Sequence, residues 1–277
     1  MTILVIGGTG KTGSATLKAL HRQGATAVAA ARRAGPGVVA IDINDPDMVE
    51  AAARGHDAAY LLTPLGPDKS AIGVAAVAAL RRAGVRKIVY LAIMNLETMR
   101  AIPHFASKIA IRDAVLSDGL SVVLEANFFM DNDAMLLPAI IHGGTYPLPV
   151  GDVGVWSVAA VDIGEAAANA LLKDDWNSQA VPLCGSERLT GAALAASWSA
   201  AAGRPVVYGG DDTAPFLAAT GMPDGWMRDD LRIMFEVTQQ LGCIATPAQV
   251  AASAAIIGRA AVTHHEFAQA PCEESKP

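Results

Sequence analysis

Cysteine is scarce in this chain of 277 residues: Cys184, Cys243 and Cys272 are all there are, and they lie far apart. An odd, sparse set argues against a disulfide framework and against a zinc ribbon. The three read as two core thiols and one tail thiol. Charge is sparse too. Asp, Glu, Lys and Arg make up 17% of the residues, the net charge is −6, and the basic residues are scattered. A nucleic-acid partner would require a basic stripe, because phosphate neutralisation dominates that affinity. The nearest approach to one, Arg81-Arg82 with Arg86-Lys87, reads as a solvated helix end. Apolar residues are 52% of the chain, yet no apolar run is long enough to span a bilayer, so no membrane partner is expected. The segment Met1-Thr2-Ile3-Leu4-Val5-Ile6 lacks the basic start of a signal peptide, which makes the expectation cytoplasmic.

Several catalytic signatures are missing as well. No Gly-x-Ser-x-Gly elbow occurs, which speaks against a serine hydrolase. No tyrosine has a lysine four residues on: Tyr60, Tyr90, Tyr146 and Tyr208 all fail. The pair His264-His265 has no Cys or carboxylate at a ligand spacing, and neighbours on a helix point apart, so no metal is expected.

The chain does contain alternating periods. Short apolar runs at 3–6, 26–31, 58–62, 87–92 and 121–124 read as strands. Between them 10–24, 67–83 and 106–117 read as helices, and Asp45-Pro46 opens another with Asp as cap and Pro in its first turn. Gly24 and Gly84 are natural C-terminal stops. Such alternation implies βαβ crossovers and an α/β fold: a doubly wound parallel Rossmann sheet with helices on both faces. After residue 130 the pattern loosens, with Pro138, Gly143-Gly144, Pro147 and Pro149 marking loops. A helix at 162–172, a strand at 180–183 and an Ala-rich helix at 190–202 follow, and the last third is mostly helical. The expected organisation is a Rossmann domain over 1–130 to which 155–185 returns, a smaller helical lobe from 131–154 and 186–268, and a disordered tail at 269–277.

Gly7-Gly8-Thr9-Gly10-Lys11-Thr12-Gly13 directly follows the first strand and opens the first helix. One glycine serves the tight turn, another lets backbone approach a pyrophosphate, and a third lets helix and strand pack closely. The helix N-terminus then offers N–H groups and a positive dipole to the anion. Gly10-Lys11-Thr12 imitates the end of a Walker A loop. That loop needs its first glycine where Val5 stands inside the strand, which rejects an NTPase. The end of the second strand decides which dinucleotide fits. NAD binders place an acid there for the ribose hydroxyl. This chain has Ala31-Arg32-Arg33 and no acid before Asp42. Arginine suits a 2′-phosphate by charge and fork geometry, which points to NADP(H). Asp42 either flanks the adenine or is a turn residue.

With these residues the chain resembles the NmrA-like proteins, an atypical branch of the short-chain dehydrogenase/reductase superfamily, over nearly its whole length. The resemblance is carried by the glycine loop at 7–13, the Arg pair at 32–33, Ala-Tyr-Leu-Leu-Thr-Pro at 59–64 and His104-Phe105-Ala106-Ser107-Lys108. It continues in Ala126-Asn127-Phe128-Phe129-Met130-Asp131-Asn132, Val181-Pro182-Leu183-Cys184-Gly185 and Gly203-Arg204-Pro205-Val206. It implies a Rossmann domain plus a smaller helical lobe, a substrate cleft between them, and NADP(H) as cofactor. Members include quinone reductases, carbonyl or ene-type reductases, and non-enzymatic redox sensors. Residue by residue, it places Gly7, Gly10 and Gly13 at the pyrophosphate and Arg32 and Arg33 at the 2′-phosphate. Thr63 and Pro64 fall on the adenosine ribose side, Lys108 at the nicotinamide ribose, and Asn127 and Phe128 near the nicotinamide. The chain departs from the family pattern at Glu125-Ala126 (often Arg-Pro), at Arg112 (often a carboxylate) and at Ala92 (often a hydroxyl).

Where the superfamily has Tyr-x-x-x-Lys, this chain has His104-x-x-x-Lys108. That spacing puts both on one face of a helix, and histidine can transfer protons near neutral pH. Lys108 would stabilise a developing anion and His104 would protonate it; His104, following Ile102-Pro103, could equally cap the helix. Met94, Asn95 and Glu125 stand at strand ends where such sheets hold substrate. Trp156, Trp226 and Met227 line a pocket or fill a core. The leading reading is an NADPH-dependent oxidoreductase reducing a small apolar carbonyl, enone or quinone. The rival is a non-catalytic NADP(H) sensor that binds a partner protein through its C-terminal helices; those apolar helices also suit a homo-oligomer interface.

Overall fold

The computed structural model describes residues 1–66 and 69–274. In the first strand, β1 (Thr2–Ile6), Leu4 and Ile6 enter one buried cluster and Ile3 and Val5 another, so both faces need helical cover. The chain supplies it in order: α1 (Lys11–Arg22), β2 (Thr26–Ala31), β3 (Val38–Ala40), α2 (Pro46–Ala53), β4 (Ala58–Leu61), α3 (Lys69–Arg82), β5 (Lys87–Ile93), α4 (Pro103–Leu116) and β6 (Val122–Ala126). A 3₁₀ turn (Met130–Leu136) and a π turn (Pro138–His142) lead to β7 (Thr145–Tyr146). Then come α5 (Ala160–Leu172), β8 (Ala180–Leu183), α6 (Gly191–Ala202), β9 (Val207–Tyr208), α7 (Thr213–Ala219), α8 (Trp226–Leu241), α9 (Pro247–Ile257) and α10 (His264–Glu274).

Seven strands form one parallel sheet in the order β3-β2-β1-β4-β5-β6-β8. Successive strands are added outward in one direction from β1 to β3 and in the other from β4 to β8, which makes the gap between β1 and β4 the switch point where open α/β sheets hold ligands beyond their strand ends. Ala19, Leu20, Ile163 and Ala166 of α1 and α5 cover the face of Ile3 and Val5. Val49, Leu80 and Ile111 of α2, α3 and α4 cover the face of Leu4 and Ile6. The fold is the Rossmann α/β architecture, with a helical C-terminal part.

Some local expectations need correction. The expected helix start at Pro67 lies outside the described residues. α4 begins at Pro103, so His104 lies within the helix rather than in a preceding loop. Pro at the first helical position has its φ already set and lacks only an N–H that would be unpaired there anyway. The supposed disordered tail is helical through Glu274, and residues 275–277 lie outside the described residues. Ala268 and Cys272, four residues apart on one face of α10, are buried, so Cys272 is a core thiol. Each member of the short basic run finds an acid: Arg81–Asp118 at 3.2 Å, Arg82–Glu50 at 2.8 Å, Arg86–Asp57 at 4.0 Å and Lys87–Asp174 at 3.2 Å.

A buried polar cluster joins the C-terminal helices to the 3₁₀ turn. Asp133 accepts hydrogen bonds from Tyr146 Oη (3.1 Å) and Trp198 Nε1 (2.9 Å). His264 Nε2 stands 3.2 Å from the same carboxylate, and its Nδ1 2.8 Å from Ser197 Oγ. Among the described residues no helix is long and apolar enough to cross a membrane.

Candidate functional site

The glycine loop is shaped by crowding. Gly7 adopts φ +81°, a conformation L side chains avoid. A Cβ on Gly13 would lie 2.2 Å from the Gly7 carbonyl oxygen, so α1 packs flush onto the end of β1 only because position 13 is glycine. Gly8 is wedged with its would-be Cβ 2.8 Å from that of Ala29. Gly10 caps α1 without a side chain, and the N–H groups of Lys11, Thr12 and Gly13 have no partner among the described residues. These donors, with the helix dipole behind them, have the chemistry of an anion seat. Thr12 itself points inward, where Tyr60 Oη donates to its hydroxyl at 3.1 Å. Lys11 turns away and donates to the Asp131 carbonyl at 2.7 Å, tying the helix start to the 3₁₀ turn.

Beside this loop, Thr9, Ala31, Arg32 and Arg33 line a cavity of about 210 Å³. Both arginines are exposed, and neither pairs with a carboxylate among the described residues. Asp42 closes a turn: its Oδ1 accepts from the Asn44 backbone N–H at 2.9 Å and from Asn44 Nδ2 at 2.6 Å. Those bonds hold its carboxyl below the usual carboxylate range.

Past the end of β4, Thr63 meets α4. Lys108 Nζ donates to Thr63 Oγ1 at 3.1 Å, and Thr63 Oγ1 shares a 3.1 Å hydrogen bond with Tyr90 Oη. The ammonium also lies 5.7 Å from the Tyr90 ring centroid. Lys108 is 5% exposed, and burial lowers it to about 8. No carboxylate offsets that burial among the described residues, an uncompensated cation at the mouth of the sheet. Thr63 thus stands at Lys108, while Pro64 is exposed beside it. One turn earlier on α4, His104 is buried, and its Nδ1 pairs with Asp230 of α8.

The remaining candidates divide. Asn127 is buried, with both ends of its amide engaged by protein: Nδ2 donates to the Cys243 carbonyl (2.9 Å), and Oδ1 accepts from the N–H groups of Phe128 (2.8 Å) and Trp156 (3.2 Å). It fastens the end of β6 to two loops. Met94 is 0% exposed and belongs to the core, so it does not line a cleft. Asn95 sits at φ 62° and donates to the Ile244 carbonyl at 3.0 Å. Glu125 is half-buried, 4.0 Å from Arg112, and burial raises its carboxyl above the usual range. Trp156 is half-buried against the core. Phe128 is half-buried too and leads an aromatic row, 6.4 Å from Phe235, which meets Phe216 edge-on at 5.2 Å.

Residues 1–256 match the NmrA-like family. The chain belongs to that family. An NAD(P)H azoreductase from Xenophilus azovorans is 31% identical, over 97% of each chain. The crystal structure of an NADPH-dependent quinone oxidoreductase from Escherichia coli, complexed with NADPH, superposes with a TM-score of 0.83 at 22% identity, covering 97% of this chain and 99% of that one. A triphenylmethane reductase from Citrobacter sp., complexed with NADP(H), gives 0.82 at 20% identity, covering 98% and 100%. Within this NmrA-like chain, sequence reasoning missed Asp230 and Tyr90. Asp230 follows Asp229 at the start of an amphipathic helix, where an acid reads as a dipole partner. Its actual partner lies 126 residues away.

Proposed function

We propose that this protein is an NADP(H)-dependent reductase that passes a hydride to a small, flat, apolar acceptor: a carbonyl, an enone or a quinone. The observation that carries the reading is Lys108, a buried ammonium without a carboxylate partner among the described residues, one helical turn from His104 and at the same end of the sheet as the anion seat. The donor set suits the dinucleotide. Gly7, Gly10 and Gly13 with the N–H groups of Lys11, Thr12 and Gly13 would hold the pyrophosphate, Arg32 and Arg33 the 2′-phosphate, and Lys108 the nicotinamide ribose. Bound there, NADPH supplies the hydride.

The chain's own residues manage the charge and the proton. An oxyanion developing on the acceptor would be stabilised by the Lys108 ammonium and would take one proton from His104 Nε2. One hydride and one proton convert a carbonyl to an alcohol or a quinone to a hydroquinone, and the ring regains its proton from water. The row Phe128–Phe235–Phe216 offers an apolar wall to a planar acceptor. The reductase relatives support this reading.

The test is NADPH oxidation coupled to loss of an acceptor, with menadione, a quinone, and cinnamaldehyde, a conjugated carbonyl, as probes. Wild type turns over, and His104→Gln loses roughly 10²-fold or more in kcat. Tight NADPH binding with no turnover of either probe would overturn the reading and favour the sensor that binds a partner protein.

A further inference from the structure

We propose that Asp230 is the positioning residue of the reaction: from α8 it fixes the His104 ring with Nδ1 protonated and Nε2 left to exchange the proton. The inference rests on the reading of His104 as proton donor. Asp230 is 3% exposed and grips His104 twice. Its Oδ1 accepts the His104 backbone N–H at 3.0 Å, and its Oδ2 pairs with the ring Nδ1. A carboxylate opposite a ring nitrogen can only accept, so Nδ1 carries hydrogen whether the ring is neutral or charged. The backbone bond ties the carboxylate to the same helix as the ring, so the imidazole is held in register with Lys108 one turn on. α4 has no cap of its own, since its N-cap is Ile102, and Asp230 supplies that acceptor from another helix. The Phe105 ring lies edge-on at 4.7 Å and limits ring rotation. Nε2 makes no hydrogen bond among the described residues, and it is not one of the sealed, unpaired polar atoms.

Asp230→Asn separates positioning from folding. The backbone N–H of His104 still claims the amide oxygen, which preserves the cap. The amide NH₂ then faces Nδ1, which must become an acceptor, and the ring hydrogen moves to Nε2. The same logic makes an aspartate set the histidine tautomer in serine proteases. The experiment is a double-mutant cycle in NADPH oxidation, with whichever of menadione and cinnamaldehyde wild type reduces faster. NADPH affinity is followed by tryptophan fluorescence, and ring-nitrogen NMR is run on ¹⁵N-histidine protein with His104 assigned by its absence in His104→Gln. We expect Asp230→Asn to lose roughly 10²-fold in kcat with NADPH affinity unchanged, and the double variant to be no slower than His104→Gln alone. Losses that multiply in the double variant would overturn the proposal, as would a normal Asp230→Asn beside a slow His104→Gln. A His104→Gln enzyme as fast as wild type would remove the proton donor itself, and this proposal with it. Should Asp230→Asn not fold, wild type still decides: the neutral ring must show Nδ1–H and a bare Nε2, and the opposite tautomer refutes the assignment.

Discussion

Replacing Lys108 with Met should stabilise the cofactor-free protein while impairing it. The ammonium is buried with no compensating carboxylate among the described residues, and burial brings it from 10.5 down to about 8. At neutral pH that displacement disfavours the charged form by about 3 kcal/mol. Met retains most of the stem's volume. Thr63 keeps Tyr90 as its partner at 3.1 Å, so the losses are one hydrogen bond and the cation–π contact with the Tyr90 ring, at about 1 kcal/mol each. The net expectation is a gain of about 1 kcal/mol, or roughly 2–4 °C in Tm for a chain of this size. Because the folded-state value lies below the unfolded one, the unfolded chain binds more protons between about 8 and 10.5. Wild-type stability therefore rises with pH through that window relative to the variant. The full penalty is present below about 8, and the gap closes by 10.5. Thermal melts of both proteins without cofactor, taken across that pH range, measure this directly, since all other titrating groups are common to the two. NADPH titrations of the same samples should show weaker binding by Lys108→Met. A variant less stable than wild type at neutral pH, or a gap indifferent to pH, would refute an uncompensated buried ammonium.

Two further outcomes follow from the cofactor end. Arg32→Ala and Arg33→Ala should each weaken NADPH binding by about 1.5–3 kcal/mol while leaving NADH nearly unaffected. Fluorescence titration with both nucleotides checks this, and equal losses for the two would remove the arginines from the 2′-phosphate. Gly13→Ala forces a methyl to 2.2 Å from the Gly7 carbonyl oxygen. It should cost about 1–3 kcal/mol of stability and pry α1 from the loop, read as a lowered Tm together with weaker NADPH binding. An alanine variant that matches wild type in both would show that the close approach is dispensable.

Sequence alone determined what depends on neighbouring residues. β2 spans Thr26–Ala31, the run its apolar pattern predicts, and Asp45 and Pro46 cap and open α2 as their chemistry requires. The glycine loop was legible for the same reason: a tight strand-to-helix turn imposes its glycines locally. Tertiary structure decided whatever depends on a distant partner. No local pattern distinguishes Asp230 from a solvated acid until α8 is laid against α4. Met94, one residue beyond β5, was consigned to the core, where Asn127 donates to its sulfur, rather than to the cleft. The last helix, polar and unremarkable in sequence, is ordered because Ala268 and Cys272 find the core. Period and turn chemistry act over a few residues. Burial and many hydrogen-bond partners are set by elements far apart in sequence, as with Asp230 and His104, 126 residues apart, and only the folded chain brings those together.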